Sequence, residues 1–94
     1  MNVIVKKNIW KDVSKLPHYI QIMSVEQLDK LEIANNLNDL DNIKPLKGTK
    51  EPFYSMKFND YRFLLYYKEE RNTVIVIRLK HRKDVYKKQT LPYR

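Results

Sequence analysis

An α+β domain is what the sequence predicts: an N-terminal strand, two antiparallel helices packed on a curved, mainly antiparallel four-stranded sheet, and a short C-terminal helical turn. Three observations carry that prediction. A β-branched run, Val3-Ile4-Val5, opens the chain. Ile20, Met23, Leu28, Leu31, Ala34 and Leu37 then recur at roughly helical spacing. Finally FYSMKF, YRFLLYYK and TVIVIRLK, separated by Asn59-Asp60 and by EERN, have the look of strands joined by tight connections. With 94 residues there is room for one domain, residues 1–94, with one modest core.

Each element has a local reason. Asn8 suits a helix N-cap before IWKDVSKL, and Pro17 suits the first turn of a second helix running through residues 18–40. The apolar stripe of that helix is expected to cover the sheet that follows, with its Asp and Glu residues facing solvent. Residues 42–52 hold two prolines and the only glycine, which predicts a loop carrying Lys44, Lys47 and Lys50. If Asn59-Asp60 is a two-residue hairpin turn, Lys57 pairs with Arg62, Met56 with Phe63 and Tyr54 with Leu65. Tyr54, Met56, Phe58, Tyr61, Phe63 and Leu65 then share an apolar face that must pack on the helices. For Ile75, Ile77 and Leu79 to join that face, and Val76, Arg78 and Lys80 the other, the next loop must have an odd number of residues. Arg62 then faces Lys80, and Leu64 faces Arg78.

Nineteen Lys and Arg against eleven Asp and Glu leave a net charge of +8. The excess is one-sided. Residues 1–43 hold five basic and six acidic side chains, a balance of −1, so residues 44–94 hold fourteen and five, a balance of +9. A polyanionic partner follows as an expectation. No cysteine is present, which removes disulfides and thiolate metal sites from consideration. The N-terminus lacks the apolar run of a signal peptide, and nothing approaches a membrane span, so a soluble, cytoplasmic protein is expected.

The pairing places Lys57, Arg62 and Lys80 in one row across three neighbouring strands. Like charges directly opposite each other destabilise a sheet by up to about 1 kcal/mol per pair, so such a row is expected where an anion occupies it. His81, Arg82 and Tyr86 are expected to project from the end of the row. An arginine fork matches phosphate oxygens, and a tyrosine can stack on a base or exchange a proton.

The order of these elements, with PLKG before the second strand, NDYRFLLYY in the third and HRKDVY closing the fourth, resembles the RelE/ParE toxin superfamily of type II toxin-antitoxin systems. The resemblance covers nearly the whole chain. It implies a toxin neutralised by a cognate antitoxin, in a hetero-oligomeric complex. In the RelE-like branch, which the cationic row favours, it implies ribosome-dependent mRNA cleavage without a metal or other cofactor. The ParE-like branch would instead inhibit DNA gyrase, and a non-catalytic nucleic-acid-binding module is a third reading. The basic positions of RelE-like nucleases fall on Lys57, Arg62, Lys80 or Arg82, and Tyr86; Lys57, Arg62, Arg82 and Tyr86 are the expected catalytic residues, and Lys47, Arg78, Lys80, His81 and Lys83 the expected RNA-binding ones. Lys57, flanked by like charges, or Tyr86 would be the base. Arg62 and Arg82 would hold the phosphoryl oxygens, and Tyr86 or His81 would act as acid or stack. One departure stands out: Ser55 occupies a position where the family pattern has a second lysine, two residues before Lys57.

Overall fold

The computed structural model describes residues 1–46 and 52–84. Strand β1 (Asn2–Val5) leads into helix α1 (Asn8–Ser14) and helix α2 (His18–Ile33), followed by strands β2 (Ile43–Pro45), β3 (Phe53–Phe58), β4 (Tyr61–Lys68) and β5 (Thr73–His81). The sheet has five strands in the order β1-β5-β4-β3-β2, one more than expected, and β1 joins β5 in parallel while all other pairs are antiparallel. The additional strand is β2, expected as loop. Pro45 disguises it, but a proline is tolerated on an edge strand, where only one side needs hydrogen bonds.

Both helices depart from expectation at a terminus. Lys7, not Asn8, occupies the N-cap of α1, and the Asn8 amide instead donates to the Ile77 carbonyl at 3.1 Å. Helix α2 stops at Ile33 rather than near residue 40. Beyond it, Asn36 accepts a hydrogen bond from the Asn38 N–H at 3.0 Å while the Asp39 carboxylate receives the Asn36 N–H at 3.3 Å, capping a separate 3-10 turn over Leu37–Asp39. Asn and Asp side chains that compete for backbone partners break the helix here. The apolar stripe survives the break, with Ile20, Leu28, Leu31, Ala34 and Leu37 all buried.

The β3–β4 hairpin has the expected register, with Lys57 opposite Arg62, Met56 opposite Phe63 and Tyr54 opposite Leu65. Asn59 sits at φ 54°, a left-handed conformation that asparagine tolerates, and its side-chain oxygen accepts the Asp60 N–H at 2.8 Å. The β4–β5 pairing is expected only in part. Arg62 opposes Lys80 and Leu64 opposes Arg78, but Leu65 opposes Val76, so Ile77 is an extra residue in a β-bulge. The connection is an even, four-residue loop between Lys68 and Thr73. It is fixed by Asn72, at φ 44°, whose side chain receives the Tyr67 hydroxyl at 2.8 Å and donates to the Asn35 carbonyl.

One inserted residue inverts every side chain on its far side. Val74 and Val76, not Ile75 and Ile77, therefore pack with Met56, Phe58, Phe63 and Leu65 against Ile9, Val13, Ile20, Leu28 and Leu31 of the helices. Ile77 lies on the opposite face with Phe53, Leu64 and Leu46, flanked by Tyr66 and Ile75. The run TVIVI is β-branched on both alternations, so either register buries suitable side chains.

Candidate nucleic-acid interface

The cationic row is present as a matter of register: Lys57 on β3, Arg62 on β4 and Lys80 on β5 are successive cross-strand partners on the face away from the helices. Lys57 is exposed, and Arg62 and Lys80 are half-buried. Arg62 turns one guanidinium nitrogen to the neighbouring Tyr61 carbonyl at 3.2 Å. An open cavity of about 430 Å³ lies beside it, lined by Asp41, Asn42, Lys44, Ser55, Lys57 and Arg62.

The other expected site residues divide. Arg82 lies just beyond the row, where its backbone N–H donates to the Asp60 carbonyl at 2.8 Å and its guanidinium stands 3.9 Å from the Asp60 carboxylate. This ties the end of β5 to the β3–β4 turn, with both side chains 58% exposed. Lys83 is exposed in the turn that follows, closed by the Asp84 N–H on the His81 carbonyl at 2.8 Å. Tyr86, Lys47 and most of the expected C-terminal helical turn fall outside the described residues.

Two expected positions are used differently. Arg78 shares the open face with Leu64, but its guanidinium clasps Asp12 of α1 through two hydrogen bonds of 3.0 and 3.1 Å. The same carboxylate receives the Leu79 N–H at 3.0 Å and is itself 8% exposed. The reason lies in the sheet edge. β1 pairs with β5 only as far as Val76, so beyond it the edge of β5 turned away from β4 has no strand partner. Lys6 N–H donates to the Val76 carbonyl, the Asn8 side chain donates to the Ile77 carbonyl and the Asp12 carboxylate accepts the Leu79 N–H, so Lys6 and helix α1 together serve as the missing neighbour. Arg78 is thereby held in an ion pair with Asp12, its side chain still 30% exposed. His81 likewise leaves the row: it pairs with Tyr61, on the helix-side face, and packs edge-on against its ring with centroids 5.5 Å apart. Its Nδ1 accepts the Lys83 N–H at 3.2 Å.

Sequence reasoning misses Lys44, which lies on the short strand β2, and Asp41 and Asn42, which lie in the turn just before it. Asn42 is the hinge of this wall. Its carbonyl accepts the Lys57 N–H at 2.8 Å, and its side-chain amide donates to the Lys57 carbonyl at 2.8 Å and to Gln27 of α2 at 2.9 Å. The alternation Ile43-Lys44-Pro45-Leu46 was the only signal that could have revealed an edge strand. Among the described residues no three His, Cys, Asp or Glu side chains come together as a metal-binding group. None of the described helices is long and apolar enough to cross a membrane.

The sequence model of the ParE toxin of the type II toxin-antitoxin system parDE matches residues 3–86. The chain belongs to this family. The toxin's fold is shared by the RelB-RelE antitoxin-toxin complex from Methanococcus jannaschii, with 27% identity, a TM-score of 0.71, and 90% of this chain and 96% of that one covered. The RelBE2 toxin-antitoxin complex from Mycobacterium tuberculosis is similar at 26% identity and a TM-score of 0.64, covering 85% of this chain and 95% of that one. The archaeal RelE-RelB complex from Pyrococcus horikoshii, at 23% identity and a TM-score of 0.69 over 88% and 96%, shares the fold. No curated protein shows significant sequence similarity. These relationships make the toxin a member of the RelE/ParE superfamily of type II toxin-antitoxin systems.

Proposed function

We propose that the toxin is a metal-independent endoribonuclease that cleaves mRNA on the ribosome in the cytoplasm, held in check by a cognate antitoxin. The observation that carries this reading is the row Lys57, Arg62, Lys80 in register on the open face. Three cations opposite one another on adjacent strands work against sheet stability, and an RNA phosphate between them offsets that repulsion. In the reaction the 2′-hydroxyl loses its proton and its oxygen bonds to phosphorus, while the bond to the 5′-oxygen breaks and that oxygen is protonated. Arg62, in the middle of the row, is placed to stabilise the charge that grows on the phosphoryl oxygens, with Lys57 and Lys80 on either side. Lys57 or Tyr86 serves as base, and Arg82, carried past the β3–β4 turn, is a second guanidinium for the same phosphate. RNA contacts by Lys83 and Lys47 extend the positive field. The ribosome supplies much of the substrate alignment, which suits an open cleft better than a deep pocket.

The related complexes, each of a toxin with its antitoxin, support an antitoxin partner here too, one whose acidic or apolar segment covers this face. The family's ParE description supports a second reading, inhibition of DNA gyrase. Primer extension on mRNA after induction separates the two: A-site cuts are expected, and intact mRNA with impaired supercoiling by purified gyrase would overturn the nuclease reading. Arg62→Ala is expected to reduce single-turnover cleavage on programmed ribosomes by about 100-fold or more while binding falls only modestly, since the lost contact strengthens in the transition state. Wild-type cleavage by that variant would remove Arg62 from the mechanism.

A further inference from the structure

We infer that Lys44, on the edge strand β2, is a phosphate-binding residue of this cleft and supplies the cation that Ser55 does not. The inference rests on reading the open face as an RNA site and adds a residue to it. Lys44 is the cross-strand partner of Ser55, so the two share a face, and Ser55 and Lys57 alternate along β3 onto that same face. Lys44 is therefore the diagonal neighbour of Lys57, a separation of about 7–8 Å between backbones that long side chains bridge readily. Both lysines and Ser55 line one cavity with Arg62.

The surroundings distinguish Lys44 from a lysine that merely keeps a surface soluble. Its strand is held in place by Asn42, which grips both backbone groups of Lys57 and reaches Gln27 on α2. Ser55 is only 4% exposed, so the small side chain forms the floor of the cavity and leaves room above it for an ammonium from the adjoining strand. A lysine at 55 would fill that room from below. The positive charge thus enters from the edge of the sheet instead of its middle. Asp41, on the same rim, sets a carboxylate beside the cations and marks the side from which an anionic strand is repelled.

The test uses the full-length toxin and a 2′-O-methyl RNA oligonucleotide, which cannot be cut through its 2′-oxygen, together with mRNA on programmed ribosomes. Lys44→Gln is expected to weaken oligonucleotide binding by about tenfold at low salt and to lower the salt slope by about 0.7, the loss of one phosphate contact on a single strand. Lys44→Arg is expected to retain most of the binding, and the exchange Lys44→Ser with Ser55→Lys to restore it. Lys30→Gln, on the outer side of α2, is the control and is expected to leave the slope unchanged. An unchanged slope in Lys44→Gln overturns the inference, and so does a loss that Lys44→Arg fails to rescue, which would mark a role in folding β2. If the wild-type toxin binds the oligonucleotide through Lys44 yet leaves ribosomal mRNA intact, the nuclease reading fails and the phosphate contact stands. Cleavage of mRNA that is indifferent to Lys44→Gln has the opposite meaning.

Discussion

The two faces of the β3–β4 hairpin are made from alternate residues of the same strands, yet they serve opposite ends. Met56, Phe58, Phe63 and Leu65 point to the helices and are almost completely buried. Phe53, Ser55, Lys57, Arg62, Leu64 and Tyr66 point away and split into two halves. Toward one end Phe53, Leu64 and Ile77 make a small apolar cluster with Leu46, and toward the turn the cations take over. Arg78 stands at the boundary and is withdrawn to Asp12. In this sheet the like charges sit where the face is not required for packing, at the end next to the β3–β4 turn.

The strongest way to sharpen this contrast is to damage the helix-side face alone. Phe63→Ala removes a fully buried ring and is expected to destabilise the domain by about 3–5 kcal/mol in urea unfolding. Folded Phe63→Ala should still bind RNA with the wild-type salt slope; a flattened slope would show that the two faces are not independent. Next comes the boundary. Asp12→Ala leaves the Arg78 guanidinium and the Leu79 N–H without their acceptor, at an expected cost of about 2–3 kcal/mol, below that of a fully buried pair because the Arg78 side chain is 30% exposed. The same variant frees Arg78 for the open face, so RNA affinity should rise and the salt slope steepen by about 0.7. A destabilised variant with unchanged affinity would show that Arg78 cannot reach the phosphate path. The smallest effect is expected at the turn that aligns Lys57 with Arg62. Asn59→Ala puts a Cβ-bearing residue without a compensating side-chain acceptor at φ 54°, costing about 1–2 kcal/mol, whereas Asn59→Gly should lie within a few tenths of wild type in thermal unfolding. Equal melting temperatures for the two would disprove the role given to the left-handed backbone.

The hairpin around Asn59-Asp60 could be read to the residue because two local rules agree there. The turn sets the pairing, and the apolar alternation sets the face. Around Ile77 the rules conflict: TVIVI satisfies either face, and only the anchoring of Asn72 to Tyr67 and Asn35 selects the four-residue loop that forces a bulge. The row Lys57, Arg62, Lys80 keeps its expected register even so, because it lies between the β3–β4 turn and the bulge, although the β4–β5 loop is even and not odd.

The sequence by itself determined the layer order, the apolar face of the β3–β4 hairpin and the cationic row, since each follows from period-two or helical spacing within a short segment. It also determined family membership, through the match over residues 3–86. Tertiary structure alone decided which cations remain available. Asp12 lies 66 residues from Arg78, and no local pattern announces that the two will meet at an edge left open by a short β1. Lys44 enters the cleft for a similar reason: a three-residue strand has too little sequence to declare itself, and its place is set by hydrogen bonds from Asn42 to Lys57, fifteen residues away. Spacing along a chain fixes which face a side chain takes, whereas partners far apart in sequence fix whether its charge is spent within the fold or left for a ligand.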